Sequence, residues 1–184
     1  MQLRLPDLGW APRAALLTAL LPLLANCGPA RNEFAPACPG RVILGDAADL
    51  DIYRQGSSPG AAYDLTDLVL HGRIVGMQGT CKEGDKKSQL AVTVSVGIEL
   101  TRGPAMPGRE TEVLVFVAVT DGDTILDKRT TAMRAVFPSN IDRVTLTPGE
   151  VSMVLPVTAS KSGAAYTIVA GFQRTADQFT RGHR

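Results

Sequence analysis

Histidine, cysteine and excess positive charge are all scarce in this chain of 184 residues. It has two histidines, His71 and His183, and three cysteines, too few for a zinc-type metal site once the cysteines are assigned as below. Lysine and arginine total 19 against 18 acidic residues, and both counts fall to 17 if residues 1–26 are removed. A neutral domain offers no positive field to a phosphate backbone. We therefore expect no metal, no cofactor and no nucleic-acid partner.

Sustained helical periodicity, an internal repeat and a long apolar run are also missing from the sequence. A membrane-spanning helix needs about 20 apolar residues, whereas the main apolar run, residues 14–25, has twelve positions. The apolar fraction of 45% and the charged fraction of 20% are typical of a globular protein. The length suits one domain with its own core.

The amino terminus has the pattern of an export signal. Arg4 and Arg13 precede the apolar run, and small residues follow it. A positive segment, a short apolar segment and small residues near a cleavage point together define a signal peptide. We predict that residues 1–26 are a signal peptide. A buried helix of the mature domain is the alternative, and it is disfavoured because the run is apolar on all sides.

The apolar run ends in the sequence LANCG, from Leu24 to Gly28. This resembles the lipobox of bacterial lipoproteins, in which a Leu stands three residues before a Cys, although Asn26 takes a position where a smaller residue is usual. The resemblance implies that Cys27 is acylated and becomes the new amino terminus, with the membrane as a partner. A Gly in place of Asp after the Cys implies the outer membrane, facing the periplasm. Plain secretion, with cleavage near residues 28–30, remains the alternative.

The cysteine count supports this assignment. Thiols within reach of each other pair in an oxidising compartment, and three cysteines leave one over. With Cys27 acylated, Cys38 and Cys81 remain, each at the edge of a predicted strand. We predict a Cys38–Cys81 disulfide, worth about 4 kcal/mol in the chain-entropy treatment. A catalytic role for either cysteine would need a nearby His base.

Alternation of apolar and polar residues predicts strands along the mature chain. Residues 90–100 have apolar side chains at every even position, which predicts a strand with one buried face. Residues 113–119 are apolar throughout and predict a central strand. Asp121 and Gly122 predict a tight hairpin turn after it. Shorter strands are predicted at residues 42–44, 68–77, 125–126, 132–137, 144–146, 151–157 and 166–172.

About seven to nine short strands with regular turn signals predict an all-β fold. We expect an immunoglobulin-like or fibronectin-like antiparallel β-sandwich over residues 37–184, after a polar tether of residues 27–36. Residues 164–168 resemble the tyrosine corner of immunoglobulin-like domains, which implies that the Tyr166 hydroxyl bonds back to the chain. Ile168 stands where antibody domains have their second Cys, so an antibody-type domain is excluded.

Three features with catalytic or metal-binding associations are disfavoured. Residues 56–60 match the G-x-S-x-G pattern of serine hydrolases, but Pro59 lacks the backbone N–H that the oxyanion hole requires. The aspartates within residues 46–51 do not have EF-hand spacing, and such residues more often cap turns. His71 lies in a predicted strand without a partner nucleophile. We expect no catalytic residues and no enzyme activity.

Five short motifs occur in order along the mature region. They lie within residues 38–48, 102–105, 116–119, 137–140 and 171–175, with the letters CP, VIL and DAA in the first, then RGPA, FVAV, FPSN and GFQRT. In this order they resemble a set of small envelope lipoproteins of unassigned function from alphaproteobacteria. The resemblance implies a periplasm-facing lipoprotein and supplies no catalytic residues.

These features predict a lipid-anchored module that binds or assembles with another envelope protein. Two alternatives stay open: a carrier that holds a small apolar or glycan ligand between its sheets, and a plainly secreted periplasmic protein. A pocket lined by apolar side chains would favour the carrier. Polar groups converging on His71 would favour an enzyme.

Overall fold

The computed structural model describes residues 37–54, 64–147, 149–175 and 178. Over these residues the chain forms nine strands and three short 3₁₀ helices, so the predicted all-β class is confirmed. The predicted signal peptide, Cys27, the tether and the residues 56–60 that match the hydrolase pattern lie outside the described residues. Within the described ranges, no helix has the length and apolar character needed to cross a bilayer.

Each predicted strand segment overlaps an observed strand and passes its end by at most one residue, but several observed strands are longer, β3 by six residues. The two segments predicted at 125–126 and 132–137 form one continuous strand, and a short strand after residue 48 was not predicted. The strands are β1 Gly40–Ile43, β2 Asp49–Tyr53, β3 Leu68–Glu83, β4 Gln89–Arg102, β5 Glu110–Asp121, β6 Thr124–Val136, β7 Arg143–Leu146, β8 Val151–Pro156 and β9 Tyr166–Phe172. The 3₁₀ helices are Gly45–Ala47, Leu65–Asp67 and Gly163–Ala165.

The strands form two sheets that pack as a sandwich. One sheet has the order β1-β9-β5-β6, and the other has the order β2-β3-β4-β7, with β8 also paired to β4. The pairs are antiparallel, except that β1 runs parallel to β9. The predicted antiparallel sandwich is therefore confirmed, with one parallel pair at an edge.

Two of the shorter strands follow each other along the same edge of β4. β7 pairs with residues 98–101 and β8 pairs with residues 89–94. The sequence between them contains Pro148, which has no backbone N–H to donate to a sheet. β7 and β8 thus share one edge of β4.

The main core lies between the sheets. Along β4 every even position from Leu90 to Leu100 is buried and every odd position is half-buried, which confirms the predicted alternation. Inward side chains of β5 and the rings of Tyr166 and Phe172 belong to the same cluster. Each fully buried side chain of this size contributes about 1.5–3 kcal/mol.

A second, smaller apolar cluster lies on the outer face of the four-stranded sheet. Phe116 and Ala118 on β5 pack against Ala47 of the first 3₁₀ helix. The Lys128 ammonium lies 4.5 Å from the ring centroid of Phe116, a cation–π contact. Gly171 is required beneath this cluster, because a Cβ there would lie 2.7 Å from both Ala47 Cβ and the Phe116 ring. Both faces of β5 are thus covered, as expected for a central strand.

The predicted hairpin turn joins β5 to β6. Gly122 has a φ of 55°, in the left-handed region that glycine adopts without steric cost. After this turn, β6 pairs with β5 and forms the last strand of its sheet.

Candidate functional surface

Cys38 and Cys81 form the predicted disulfide, with 5.8 Å between their Cα atoms. Cys38 directly precedes β1 and Cys81 lies in β3, so the bond crosslinks the two sheets. β2 covers only residues 68–73 of β3, and Cys81 lies beyond that region. In that region β1 approaches β3, since the Cδ of Arg41 is 3.7 Å from the position that a Cβ on Gly79 would occupy. The disulfide and β1 together close this side of the sandwich.

Two of the three aspartates considered as metal ligands, Asp49 and Asp51, make cross-strand contacts. Asp51 Oδ1 lies 2.7 Å from His71 Nδ1, and Arg73 Nε donates to Asp49 Oδ1 at 2.7 Å. The hydrogen bond to Asp49, and then its charge, raise the pKa of the Arg73 guanidinium. Among the described residues, no three His, Cys, Asp or Glu side chains are grouped to hold a metal. The contacts attach the edge strand β2 to β3.

His71 lies in a polar row across the outer face of the five-stranded sheet. Thr101 on β4 is its register neighbour, and Arg143 on β7 is the neighbour of Thr101. Asp, His and a hydroxyl are the residue types of a hydrolase relay. However, acyl transfer also needs backbone N–H groups directed at an oxyanion. His71 and Thr101 lie on β3 and β4, which are paired on both sides, so the backbone N–H groups of these two strands are used within the sheet.

The segments that carry the lipoprotein resemblance have structural roles. Arg102 donates to the carbonyls of Met106 and Gly108, at 3.1 and 3.0 Å. Arg109 donates to the carbonyl of Pro138 at 2.6 Å. Asp142 lies 3.6 Å from the Arg102 guanidinium and 3.8 Å from that of Arg109. Residues 102–105 and 137–140 are therefore held together at one end of the sandwich.

β6 is one of the two edge strands of the four-stranded sheet and, like β1, has a neighbouring strand on one side only. From residue 124 to residue 132 its side chains are exposed on both faces, except Asp127, which is half-buried. Two of them are large and apolar: Ile125 is 62% exposed and Leu126 is 48% exposed. No other described strand pairs with the outer side of β6. We call residues 124–136, with their outward backbone groups, the free edge.

The pattern of hydrogen bonds between β5 and β6 shows which backbone groups of β6 point away from β5. Phe137 N–H donates to Arg109 C=O at 2.7 Å, so these two residues, which adjoin the ends of β6 and β5, form a hydrogen-bonded pair. Along antiparallel strands, hydrogen-bonded pairs alternate with non-bonded pairs. Gln173 N–H donates to Leu114 C=O at 2.8 Å. The backbone groups of Leu114 therefore point toward β9 and not toward β6, in agreement with this alternation. The outward N–H and C=O groups therefore belong to Lys128, Thr130, Ala132 and Arg134.

The charged residues of the free edge lie beside two exposed glutamates of β5, Glu110 and Glu112, and Glu112 is the register neighbour of Arg134. Residues 124–136 contain Lys128, Arg129 and Arg134 against one acid, Asp127, a formal charge of +2. Arg129 Nε donates to Asp127 Oδ2 at 3.2 Å, so this pair is neutralised within the strand. Arg134 donates to Glu110 on β5, and this hydrogen bond followed by the Glu110 charge raises the pKa of its guanidinium. Lys128 Nζ donates to Gln173 Oε1 at 2.7 Å.

No family model, no curated protein and no solved structure matches this chain. A function is therefore to be inferred from the chain's own residues and geometry. Of these, the free edge is the feature that sequence patterns did not identify. Alternation indicates that a segment is a strand, but it does not indicate which strand ends a sheet.

Proposed function

We propose that this protein is a lipid-anchored, non-catalytic module of the bacterial cell envelope that binds another envelope protein by adding a strand of that protein to β6. The sequence pattern of residues 1–28 supports export, acylation of Cys27 and a place at the outer membrane, facing the periplasm. A Cys38–Cys81 disulfide suits that oxidising compartment. The observation that carries the binding role is the free edge of β6.

Strand addition uses the groups that the free edge offers. An added strand gains affinity from main-chain hydrogen bonds and specificity from the side chains beside them. The outward groups of Lys128, Thr130, Ala132 and Arg134 provide a row for such pairing. Charged side chains on an edge oppose indiscriminate association, and residues 127–129 supply three of them. The edge can therefore accept an added strand, while its charged side chains oppose indiscriminate pairing.

The first strand of the domain, β1, and the free edge lie on opposite sides of the same sheet. The chain enters the sheet at β1, and β6 is three strand positions away, about 14 Å at the usual strand spacing. Between Cys27 and Cys38 the chain could extend at most about 38 Å. An acylated amino terminus would thus be connected to the domain through β1 and not through β6.

The carrier alternative has less support from the described residues. Inward side chains of both sheets, such as Leu90, Ile98 and Val119, are fully buried in one continuous cluster. Close-packed interiors of this kind contain few voids larger than a water molecule. A ligand between the sheets would have to displace that cluster, whereas a strand added to β6 displaces only water.

Site-specific photo-crosslinking of the full-length exported protein in membranes tests this proposal. A photoreactive residue at Thr130, on the free edge, is expected to crosslink to an extended segment of one envelope protein. The same residue at Thr145, exposed on the other sheet, serves as the control and is expected to give none. Equal products from the two positions would contradict strand addition at β6.

Two proline variants provide a matched pair for the backbone. Ala132→Pro removes an outward N–H of an edge strand, which sheets tolerate. Thr131→Pro removes an N–H that pairs with Val115 on β5 and should destabilise the domain by about 3 kcal/mol. Ala132→Pro should therefore fold and lose the Thr130 crosslink. A folded Ala132→Pro protein that retains the crosslink would refute backbone pairing.

A further inference from the structure

The charged side chains at one end of the free edge are occupied within the domain. Lys128 Nζ donates to Gln173 Oε1 at 2.7 Å and lies 4.5 Å from the ring centroid of Phe116. Phe116 lies on β5 and Gln173 follows β9, so the ammonium points across the sheet and away from its open side. Arg129 and Asp127 form an ion pair within the strand, at 3.2 Å. These contacts occupy the charges that an added strand would meet at this end.

The other end of the free edge is balanced by β5. Arg134 donates to Glu110, and Glu112 is its register neighbour. Residues 127–136 of β6 and the facing residues 110–119 of β5 therefore contain equal numbers of cations and carboxylates, namely Lys128, Arg129 and Arg134 against Asp127, Glu110 and Glu112. Across strands, opposite charges attract and like charges repel. A charge of either sign on an added strand thus meets a like charge as well as an opposite one.

The positions between the charged ends favour side chains that cover apolar surface. Thr130 is the register neighbour of Phe116, whose ring belongs to the outer apolar cluster. Ala132 lies two residues farther along the same face, and its register neighbour Leu114 has a side chain that is 40% exposed. Cross-strand and diagonal neighbours are within contact distance. An apolar or β-branched side chain opposite Ala132 would therefore extend the outer surface that begins at Leu114.

The part of the free edge that can pair regularly is short. A bulge interrupts β6 at Leu126, which has no register partner on β5, and bulges disturb the pairing of an edge. At its other end β6 stops at Val136, two residues before Pro138, which has no N–H to donate. The outward groups of residues 128–134 lie between these limits, over about 20 Å of strand. A segment of about seven residues would pair with all of them.

We infer that the segment which pairs with β6 is an uncharged stretch of about seven residues in another envelope protein, with apolar or β-branched side chains on the outer face. This inference rests on the proposed strand addition. A second copy of this chain is a poorer occupant, because its own β6 would bring Lys128, Arg129 and Arg134 against the same row. An uncharged segment avoids that repulsion and covers Leu114.

Binding of three capped, fluorescent peptides of nine residues to the full-length protein in detergent tests the absence of charge. The first peptide alternates threonine and valine and is kept at nanomolar concentration to prevent self-association. The other two have a pair of adjacent glutamates or lysines at the centre, so that one charge lies on the outer face in either placement of the strand. Fluorescence anisotropy should give about tenfold tighter binding of the uncharged peptide. Equal or tighter binding of either charged peptide, or no binding of the uncharged one, would overturn the inference.

A charge placed on the protein locates the effect. Ala132→Glu should weaken binding of the uncharged peptide and make the lysine peptide the preferred one, whereas Ala132→Val should keep the original preference. Thr145→Glu introduces the same charge on the other sheet and is the control, which should leave the preference unchanged. An equal effect of Thr145→Glu, or no effect of Ala132→Glu, would show that the row on β6 does not select the peptide.

Sequencing the segment crosslinked from Thr130 in membranes separates the two proposals. An uncharged, apolar segment supports both. A charged segment, or a second copy of this chain, overturns the inferred chemistry of the partner and leaves strand addition standing. Absence of any crosslink that depends on Ala132 refutes strand addition itself.

Discussion

The Tyr166 hydroxyl donates a hydrogen bond to the backbone carbonyl of Pro156, at 2.6 Å. Tyr166 begins β9 in one sheet and Pro156 ends β8 in the other, so the bond joins the two sheets across a corner. The ring is buried, and Lys161, which pairs with Asp121, lies 4.8 Å from its centroid. This is the contact that the resemblance to a tyrosine corner implied, and it is confirmed.

Tyr166→Phe should lower the free energy of unfolding by about 1–3 kcal/mol, because it leaves the carbonyl of Pro156 without its partner. Urea denaturation of the purified domain measures this. Ser152→Ala, which removes an exposed hydroxyl, is the control and should change stability by less than about 0.5 kcal/mol. A similar small change in both variants would show that the corner bond contributes nothing.

The alternation of β4 gives a second prediction. Val94 is 1% exposed, so Val94→Asp would bury a carboxylate and should cost about 3–5 kcal/mol. Thr93→Asp and Ser95→Asp place the charge on the outer face and should cost less than about 1 kcal/mol each. Thermal melts of the three variants distinguish the buried face of β4 from its outer face. Tolerance of Val94→Asp would contradict the core described here.

The disulfide should stabilise the domain strongly. Cys38→Ser should lower the free energy of unfolding by about 2–4 kcal/mol, and a reductant should have a similar effect on the unmodified protein. Cys27→Ser should leave the melting temperature unchanged. Free thiols at both Cys38 and Cys81 in protein recovered from the periplasm would show that the bond does not form there.

Gly171 should resist substitution. Gly171→Ala places a methyl group against Ala47 and Phe116 and should cost about 1–3 kcal/mol through overpacking. Gly108, where a Cβ would meet nothing within 4 Å, provides the matched control, and Gly108→Ala should be close to neutral. Equal stability of the two variants in chemical denaturation would contradict the close approach at residue 171.

Cell fractionation tests the anchor. If Cys27 is acylated, Cys27→Ser should move the protein from the membrane pellet to the soluble periplasmic fraction and abolish incorporation of labelled fatty acid. An unchanged distribution, together with no label on the original protein, would favour plain secretion.

Sequence patterns predicted the half-buried strands well and two of the edge strands, β2 and β6, poorly. β4 has one buried face, so its alternation is complete. β2 was missed because Asp49 and Asp51 are unfavourable in strands, and their partners His71 and Arg73 are distant in sequence. β6 was predicted as two pieces because residues 128–131 are exposed on both faces and show no alternation. Exposure of the candidate surface on both faces thus removed the alternation from which a strand is predicted.

The position of Cys38 also determines how the domain responds to mechanical tension. A pull on the preceding chain reaches β3 through the covalent bond to Cys81 before it loads the hydrogen bonds of β1, which pairs with only four residues of β9. Without that bond, β1 could be peeled away one hydrogen bond at a time. The resistance of the domain to stretching is thus coupled to the redox state of its surroundings.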